Sequence, residues 1–532
     1  MLESNELQHK TPEELTEIIA SLTEKFKEEK NQFVSKIQSQ QSELTQRKNL
    51  INTLYEQIYL LKHGKFGASS ERYVDEHPQG RLFDEADLST ETQAEIEAAD
   101  ESITIPEHQR KKRGRKPLPK DLPRLEVIHD LADGDKQCAC GCQLTCIGDE
   151  RTEQLEIIPA KMQVLVHVQK KYACKGCEET IKTADKPKQP IPKSIAAPGL
   201  LAHVLTQKYQ YHLPLYRQEM MFQGIGVDIP RATLSLWVIR CSELLQPLVN
   251  LLEDEILSYD IAYADESTVQ VLKEPDKPAQ SKSYMWCFGG GPPDRFSVVY
   301  HYHPSRTHQK AIDFFEGYRG YLHCDGYQAY DKVKKENSED ITLVGCWYHA
   351  RRKFVEAEKV SKKPGLAKYI IKEIQHLAKV EKAIQAEQLK PEAAKRYRIE
   401  KALPTIKKIK LKLDDHHDKV SSQSKLGQAM TYTLNQWPKL LTYLDDGRLE
   451  ISNNRMERAI KPFAVGRKNW LFANSVAGAK AGAIIYSLIE TCKAHSINPY
   501  DWLRHALTEL PSCETVAQFE GLLPFNFKDQ KK

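Results

Sequence analysis

Three acidic residues in the second half of the sequence stand where carboxylates could do chemistry. They are Asp265 in IAYADESTVQVL (261–272), Asp325 in GYLHCDGY (320–327) and Glu457 in ISNNRMERAIKPFAVGRKNW (451–470). A lone aspartate at a strand end is most often a cap or turn residue. The setting of Glu457 is less ordinary: it is the single acid among Asn453, Asn454, Arg455, Arg458, Lys461, Arg467 and Lys468. Three carboxylates can hold two Mg2+ ions (or Mn2+) about 4 Å apart for in-line attack at a phosphodiester. One ion lowers the pKa of the attacking hydroxyl and the other stabilises the leaving oxygen. Guanidinium and ammonium groups around Glu457 would then hold the phosphates.

Cysteine carries a second chemistry. Cys138-Ala-Cys140-Gly-Cys142 is followed, after about thirty residues, by Cys174-Lys-Gly-Cys177. Two thiolate knuckles separated by a strand-like segment make a zinc-ribbon arrangement around one tetrahedral, structural Zn2+. The second knuckle is a regular C-x2-C. The first is irregular, so Cys140 with its following glycine pairs with either Cys138 or Cys142. Chance clustering is the plainer alternative.

Elements of a definite order must position the acids. Strand-like runs cover 261–272, 283–290, 296–303, 320–327 and 341–349, with helical stretches at 308–318 and 327–337 between the last three. Three strands, helix, strand, helix, strand is the order of a ribonuclease H-like fold, a hairpin pair followed by parallel crossovers. Asp265 then lies on the first strand and Asp325 at the end of the fourth, which would be neighbours in the sheet. Glu457 would come from a later helix. The fold class expected is multidomain α+β: an N-terminal coiled-coil helix, a zinc-ribbon module and a ribonuclease H-like α/β core with a helical insertion.

The chain has 532 residues, with 77 Lys+Arg against 73 Asp+Glu, a formal +4. That length predicts several domains. Twelve cysteines are too sparse for a disulfide scaffold. The N-terminus lacks the pattern of a secretory signal, and no apolar run approaches the roughly 20 residues of a membrane span. Residues 13–62 repeat at seven: with Ile37, Leu44, Ile51 and Ile58 at a, and Ile19, Phe26, Phe33, Leu54 and Leu61 at d, nine of fourteen a/d sites are apolar. Self-association through this seam is expected, a helical hairpin packed on its own protein being the alternative.

Residues 75–101 carry ten acids and one base, the composition of a disordered linker. Six of the seven residues 110–116 are basic. Around Gly114 and Pro117, Arg113, Arg115 and Lys116 form an extended arm suited to an A·T minor groove, or else a generic basic linker. A second basic block at 351–412, beginning with Arg351 and Arg352, has 19 bases against 7 acids on an amphipathic helical pattern. Residues 198–241 read as two helices about the turn 224–228. They form either a helix-turn-helix with Arg231, Thr233 and Ser235 toward a groove, or a helical pair packed on a neighbour. The expected boundaries are an oligomerisation helix 1–70, acidic linker 71–109, basic arm 110–130, zinc module 131–190 and helical segment 191–255. The core follows at 256–355, with an insertion at 356–445, the rest of the core at 446–495 and a C-terminal tail at 496–532.

The blocks ADES (264–267), GYLHCDGYQAY (320–330), CWYHARRKF (346–354) and SNNRMERAIKPFAVGRKNWLFA (452–473) carry a resemblance, joined by FGASSE (66–71), KKRGRKPLP (111–119), EQLEIIPA (153–160) and SLIETCKAHSINPYDWL (487–503). In these the chain resembles the transposase of bacterial insertion sequences of family sixty-six, a TnpC-type DDE transposase, over nearly its whole length. The resemblance implies a catalytic, metal-holding triad at Asp265, Asp325 and Glu457, and a helical insertion that explains the 132-residue spacing of the last two. It implies double-stranded DNA as partner, small accessory proteins of the same element, and a place at the bacterial nucleoid. Cys346 and His349 match a family block: they could seat a metal or simply pack at a strand end. A non-catalytic, domesticated DNA-binding protein and a structure-specific nuclease of the same fold are the competing functions.

Overall fold

The computed structural model describes residues 11–66, 162–173, 181–337, 340–360 and 365–527. It divides into two compact units, one of residues 1–86 with 186–532 and one of residues 87–185. In the smaller unit β1 (Lys171–Ala173) pairs antiparallel with β2 (Ile181–Thr183), bracketing the second cysteine knuckle. Cys138, Cys140, Cys142, Cys174 and Cys177 themselves, the acidic linker and Arg113, Arg115 and Lys116 lie outside the described residues.

Helix α1 (Pro12–Phe66) is one unbroken element of 55 residues, which sets aside the hairpin alternative. Its heptad seam faces solvent: Phe26 is 71% and Leu44 68% exposed, and Ile19, Phe33, Ile37, Ile51 and Leu54 are exposed as well.

The larger unit is built on a sheet of β3 (Ile261–Lys273), β4 (Lys282–Gly290), β5 (Ser297–His303), β6 (Gly320–Cys324) and β7 (Ile341–Gly345), in the order β5-β4-β3-β6-β7. The first three form an antiparallel meander. β6 and β7 are parallel to β3, reached through α5 (Gln309–Phe314) and α6 (Ala329–Glu336). A short β8 (Ala473–Ser475) extends the far end of β3. The strand order expected from sequence is therefore present, and its first and fourth strands are neighbours.

One expected boundary moves. The run 341–349 is strand only to Gly345, and Trp347 opens α7 (Trp347–Val360). Aromatic and β-branched residues favour strands, but here the amide of Asn453 and the first amides of the helix turn toward the Cys346 sulfur, so the chain leaves the sheet at that residue. Cys346 thus joins the end of β7 to the start of the helix, and His349 sits in the helix's first turn.

The helices α2 (Pro198–Tyr209), α3 (Leu215–Gly224) and α4 (Arg231–Leu257) precede the sheet. Pro230 lies immediately before α4, whose stripe Leu234, Trp237, Val238, Cys241, Leu245, Leu248 and Leu252 is buried. Arg231 and Ser235 are exposed and Thr233 is half-buried, so α4 is a core helix with a polar start. The insertion comprises α8 (Leu366–Ala386), α9 (Pro391–Lys401), α10 (Leu403–His417), α11 (Lys425–Asn435) and α12 (Trp437–Leu441). Their apolar faces, including Ile370, Ile374, Leu377, Ile406 and Ile409, are buried, leaving the lysines outward.

The chain then returns as α13 (Asn454–Trp470) and α14 (Val476–Ala494). An edge strand exposes unpaired backbone groups, and α14 satisfies those of β5 with side chains. Tyr300 N donates to Ser487 Oγ at 2.8 Å and Val298 N to Thr491 Oγ1 at 3.0 Å, which accounts for polar residues in a buried helix face. Residues expected as a tail fold into α15 (Pro499–Glu509) and α16 (Val516–Gly521), with Trp502 fully buried. Among the described residues no helix is long and apolar enough to cross a membrane.

Candidate active site

The parallel register of β3 and β6 pairs Tyr263 with His323. Carried two residues further, the same register sets Asp265, inside β3, beside Asp325, just past the end of β6, with the strands roughly 5 Å apart. Each carboxylate is steadied by a nearby amide: Asp265 Oδ1 accepts from Glu266 N and Asp325 Oδ1 from Tyr327 N, both at 2.8 Å. The second contact is an Asx turn, which lets the chain leave β6 sharply enough to keep the carboxylate at the sheet end.

Glu457 reaches the pair from α13, whose start is stitched to both neighbours. Asn453 Nδ2 donates to the carbonyl of Ala264 at 3.0 Å, one residue before Asp265. The amide of Asn453 points to Cys346 Sγ at 3.3 Å, and Trp347 N donates to Ile451 O at 3.1 Å. The segment 451–453 is therefore held against β3 and α7 together. Tyr300, opposite Cys287 on β5, donates its hydroxyl to the carbonyl of Ala459, so α13 lies over the sheet face that carries Asp265 and Cys287.

Electrostatically the acids form one cluster. Burial first, then the neighbouring Glu266 and Asp325, push the Asp265 carboxyl well above the usual carboxylate range. Burial also raises Asp325, against the Tyr327 amide and Arg306. Glu457 is raised by burial against the opposing pull of Arg352, whose Nη2 lies 3.2 Å from Oε2. Like charges confined out of water resist ionising together. This is the electrostatic condition of a site that a cation would complete.

A fourth carboxylate, Glu266, was not foreseen. Adjacent strand residues face opposite sides, and Glu266 points away from α13 toward α6. There Tyr330 Oη donates to Oε2 at 2.9 Å and Arg306 Nε to Oε1 at 3.0 Å, while Arg306 stacks 3.8 Å over the ring of Tyr327. The only sequence signal was its place in ADES (264–267), because Arg306 comes from an unpatterned loop.

The candidate phosphate-binding residues divide into two groups. Arg352 is at the carboxylates, and Arg351 is half-buried beside it on α7. Arg458 and Lys468 are exposed on α13, and Lys461 is half-buried. Arg455 turns away instead, 3.3 Å from Glu450 and stacked 4.4 Å over Phe296. Arg467 clamps the far end of β3 through Thr268 and the Ser267 hydroxyl. Geometry gives these last two a packing role that charge alone did not reveal. Cys346 and His349 join Glu457: among the described residues, their Sγ, a ring nitrogen and a carboxylate oxygen all lie within 4.8 Å of one another.

Comparison with known proteins agrees along the chain. Residues 193–481 match a family described as Transposase IS66 family, and 487–525 match the IS66 C-terminal element. Residues 135–178 match the zinc-finger binding domain of transposase IS66, and 53–127 a profile described as Transposase C of IS166 homeodomain. The chain is 32% identical over 509 residues to the uncharacterised protein y4jD of Sinorhizobium fredii, covering 91% of this chain and 96% of that protein. It is 29% identical over 489 residues to y4qI of the same organism, also uncharacterised, covering 88% of each.

Proposed function

The chain belongs to the IS66 family of transposases, and from that premise we propose that it is a DDE transposase that binds the ends of its insertion sequence, cuts there and joins the freed end to target DNA. The observation that carries the reading is the convergence of Asp265 and Asp325, in register on adjoining parallel strands, with Glu457 from α13. The sheet order β5-β4-β3-β6-β7 supports a ribonuclease H-like core.

Asp265, Asp325 and Glu457 are the residues that would hold two divalent ions, Mg2+ or Mn2+. Carboxylate oxygens suit such hard cations, and mutual repulsion among these acids fits a donor set awaiting positive charge. Bound there, the ions would supply the Lewis acidity that activates the attacking hydroxyl and stabilises the leaving oxygen. The protein's own part is positioning. Asn453 fixes Glu457 against β3, and the Tyr327 amide orients Asp325. Arg352 is placed to take a phosphate oxygen beside Glu457.

In the first step a water oxygen attacks phosphorus at the element end, the P–O3′ bond breaks, and the element keeps a 3′-hydroxyl. In the second, that 3′ oxygen attacks a target phosphodiester and the target's own 3′ oxygen leaves as a hydroxyl. Duplex DNA would be gripped by Arg113, Arg115 and Lys116, by a structural Zn2+ module at Cys138–Cys177, and by the groove between α8 and α10 lined by Lys372, His376, Lys379 and Lys408. The exposed seam of α1 would pair with a second copy of the chain.

Asp265→Asn tests the assignment. It should retain binding to end-containing DNA while abolishing Mg2+-dependent cleavage and strand transfer. Strand transfer at the wild-type rate would refute the role of Asp265. Cleavage of branched DNA without joining, by the unaltered protein, would instead support a nuclease.

A further inference from the structure

We propose that Cys346, His349 and Glu457 form a binding site for a transition-metal ion of the Zn2+ class, adjoining the hard-ion site of the strand-transfer chemistry and sharing Glu457 with it. Three donor types meet here from two elements: a thiol immediately before α7, an imidazole in its first turn, and a carboxylate from the first turn of α13. Thiolate and imidazole are ligands that Mg2+ does not choose and that Zn2+ does.

The unpartnered state of two of these donors points to an ion. His349 Nδ1 and Glu457 Oε1 are both buried, and neither makes a hydrogen bond. Buried polar atoms are seldom left so. They nevertheless lie 3.4 Å apart, close to the roughly 3.3 Å edge that two ligands at about 2.0–2.1 Å make on a tetrahedral ion. Burial, and after it the Glu457 carboxylate, push the free Cys346 thiol up to about 12 against opposing backbone amides, so a bound ion would have to displace the sulfur's proton. The amide of Asn453 points to it at 3.3 Å, and those of Tyr348 and His349 turn toward it too. Amide donors of this kind stabilise a negative sulfur without adding a competing side chain.

Glu457 would offer Oε1 here, while Oε2, which faces Arg352, is the oxygen that would turn to the hard ions. A metal at this point would fasten α13 to α7 beside the carboxylate pair, replacing a loose contact by three coordinate bonds. Its role is therefore to hold Glu457 in one orientation. The site shares Glu457 with the strand-transfer reading but takes nothing from Asp265, so Asp265 variants separate the two.

The test uses the full chain with Cys138, Cys140, Cys142, Cys174 and Cys177 replaced by Ser, so that the ribbon thiolates are silent. Titration with Co2+ should give sulfur-to-cobalt charge-transfer absorption that saturates at one equivalent. Cys346→Ser should abolish that band, and His349→Ala should weaken Co2+ binding by about tenfold or more. Asp265→Asn in the same background should leave band and affinity unchanged, even where it abolishes strand transfer. Absence of the band, or its persistence in Cys346→Ser, would overturn the proposal. Should circular dichroism show Cys346→Ser unfolded, His349→Ala decides alone, and an unchanged affinity refutes the site.

Discussion

Arg398 is a buried charge that ties the insertion to the segment leading toward Glu457. It lies on α9 with 3% of its surface exposed. Its Nε and Nη2 bind the two oxygens of Glu381 on α8 at 2.8 and 2.7 Å. Its Nη1 donates to the carbonyls of Tyr443 and Asp446 at 3.0 and 3.1 Å. One guanidinium therefore ties two insertion helices to the segment that leads through Glu450 into Asn453 and Glu457. Replacing it by Met removes four hydrogen bonds, but the larger effect is what remains: a carboxylate and two carbonyls with little water to replace their donor. Breaking a buried pair in this way costs about 3–5 kcal/mol. Arg398→Met should lower the unfolding free energy by that much, read as a lower urea midpoint at constant slope, and should reduce strand transfer by loosening α13. The companion Glu381→Met, made together with Arg398→Met, removes the stranded carboxylate. The double variant should recover about 1–3 kcal/mol relative to the sum of the single losses. Strict additivity, or a single-variant loss below about 1 kcal/mol, would show that the guanidinium is solvated and that the insertion is held by its apolar faces alone.

Three other outcomes follow from the same physics. Burial pushes Lys208 down to about 8 from its ordinary 10.5, so the folded state holds its ammonium less well than the unfolded chain does. The resulting destabilisation is complete below pH 8 and vanishes as pH rises toward 10.5. Lys208→Met should thus stabilise by about 3 kcal/mol at pH 7 and by little at pH 10.5, read as the difference between denaturant midpoints. Lysine at both Ile37 and Leu44 should break the α1 seam, and sedimentation should then return the mass of a single 61.0 kDa chain; an unchanged assembly would place self-association elsewhere. Asn453→Ala strands the carbonyl of Ala264 and frees the start of α13. It should lower strand transfer at least about tenfold, a misplacement effect, with end binding retained in a gel-shift assay.

Much of the core was legible because its strands are short, largely buried apolar runs punctuated by turn residues. Asp265 and Asp325 could be assigned to neighbouring strands on chain order alone. What could not be read was anything set by side chains meeting across long separations. Arg455 and Arg467 look alike in the sequence, equally basic beside Glu457, yet one packs on Phe296 and the other on Thr268. Glu266 is held by Tyr330 and Arg306, which come from other segments of the chain. The start of α7 was misread for a related reason. Gly-Cys-Trp-Tyr-His has strand composition, but its helical conformation is set by amides gathering at the Cys346 sulfur, a contact that includes Asn453 from beyond the insertion. The net +12 of residues 351–412, from 19 bases less 7 acids, was correctly amphipathic. Its buried half is ordinary helix packing.

The meeting of α7 and α13 also explains how an acidic cluster can be tolerated in a partly buried place. Both helices start at the same point, Cys346 preceding the one and Asn453 the other. A helix N-terminus carries unsatisfied amides and a partial positive charge. Two of them converging favour anions there, whether a thiolate, the Glu457 carboxylate or a phosphate oxygen. Arg352 adds a full charge in the same direction. Against this stands the repulsion that raises Asp265 and Asp325 from the strand side. The two halves of the site are thus of opposite character: a strand side in excess of negative charge that calls for cations, and a helix side prepared for anions. A phosphodiester presented between them would meet positive charge on its non-bridging oxygens from α7 and α13. Its reacting oxygens would face the carboxylate-held side, the polarity that in-line substitution at phosphorus requires.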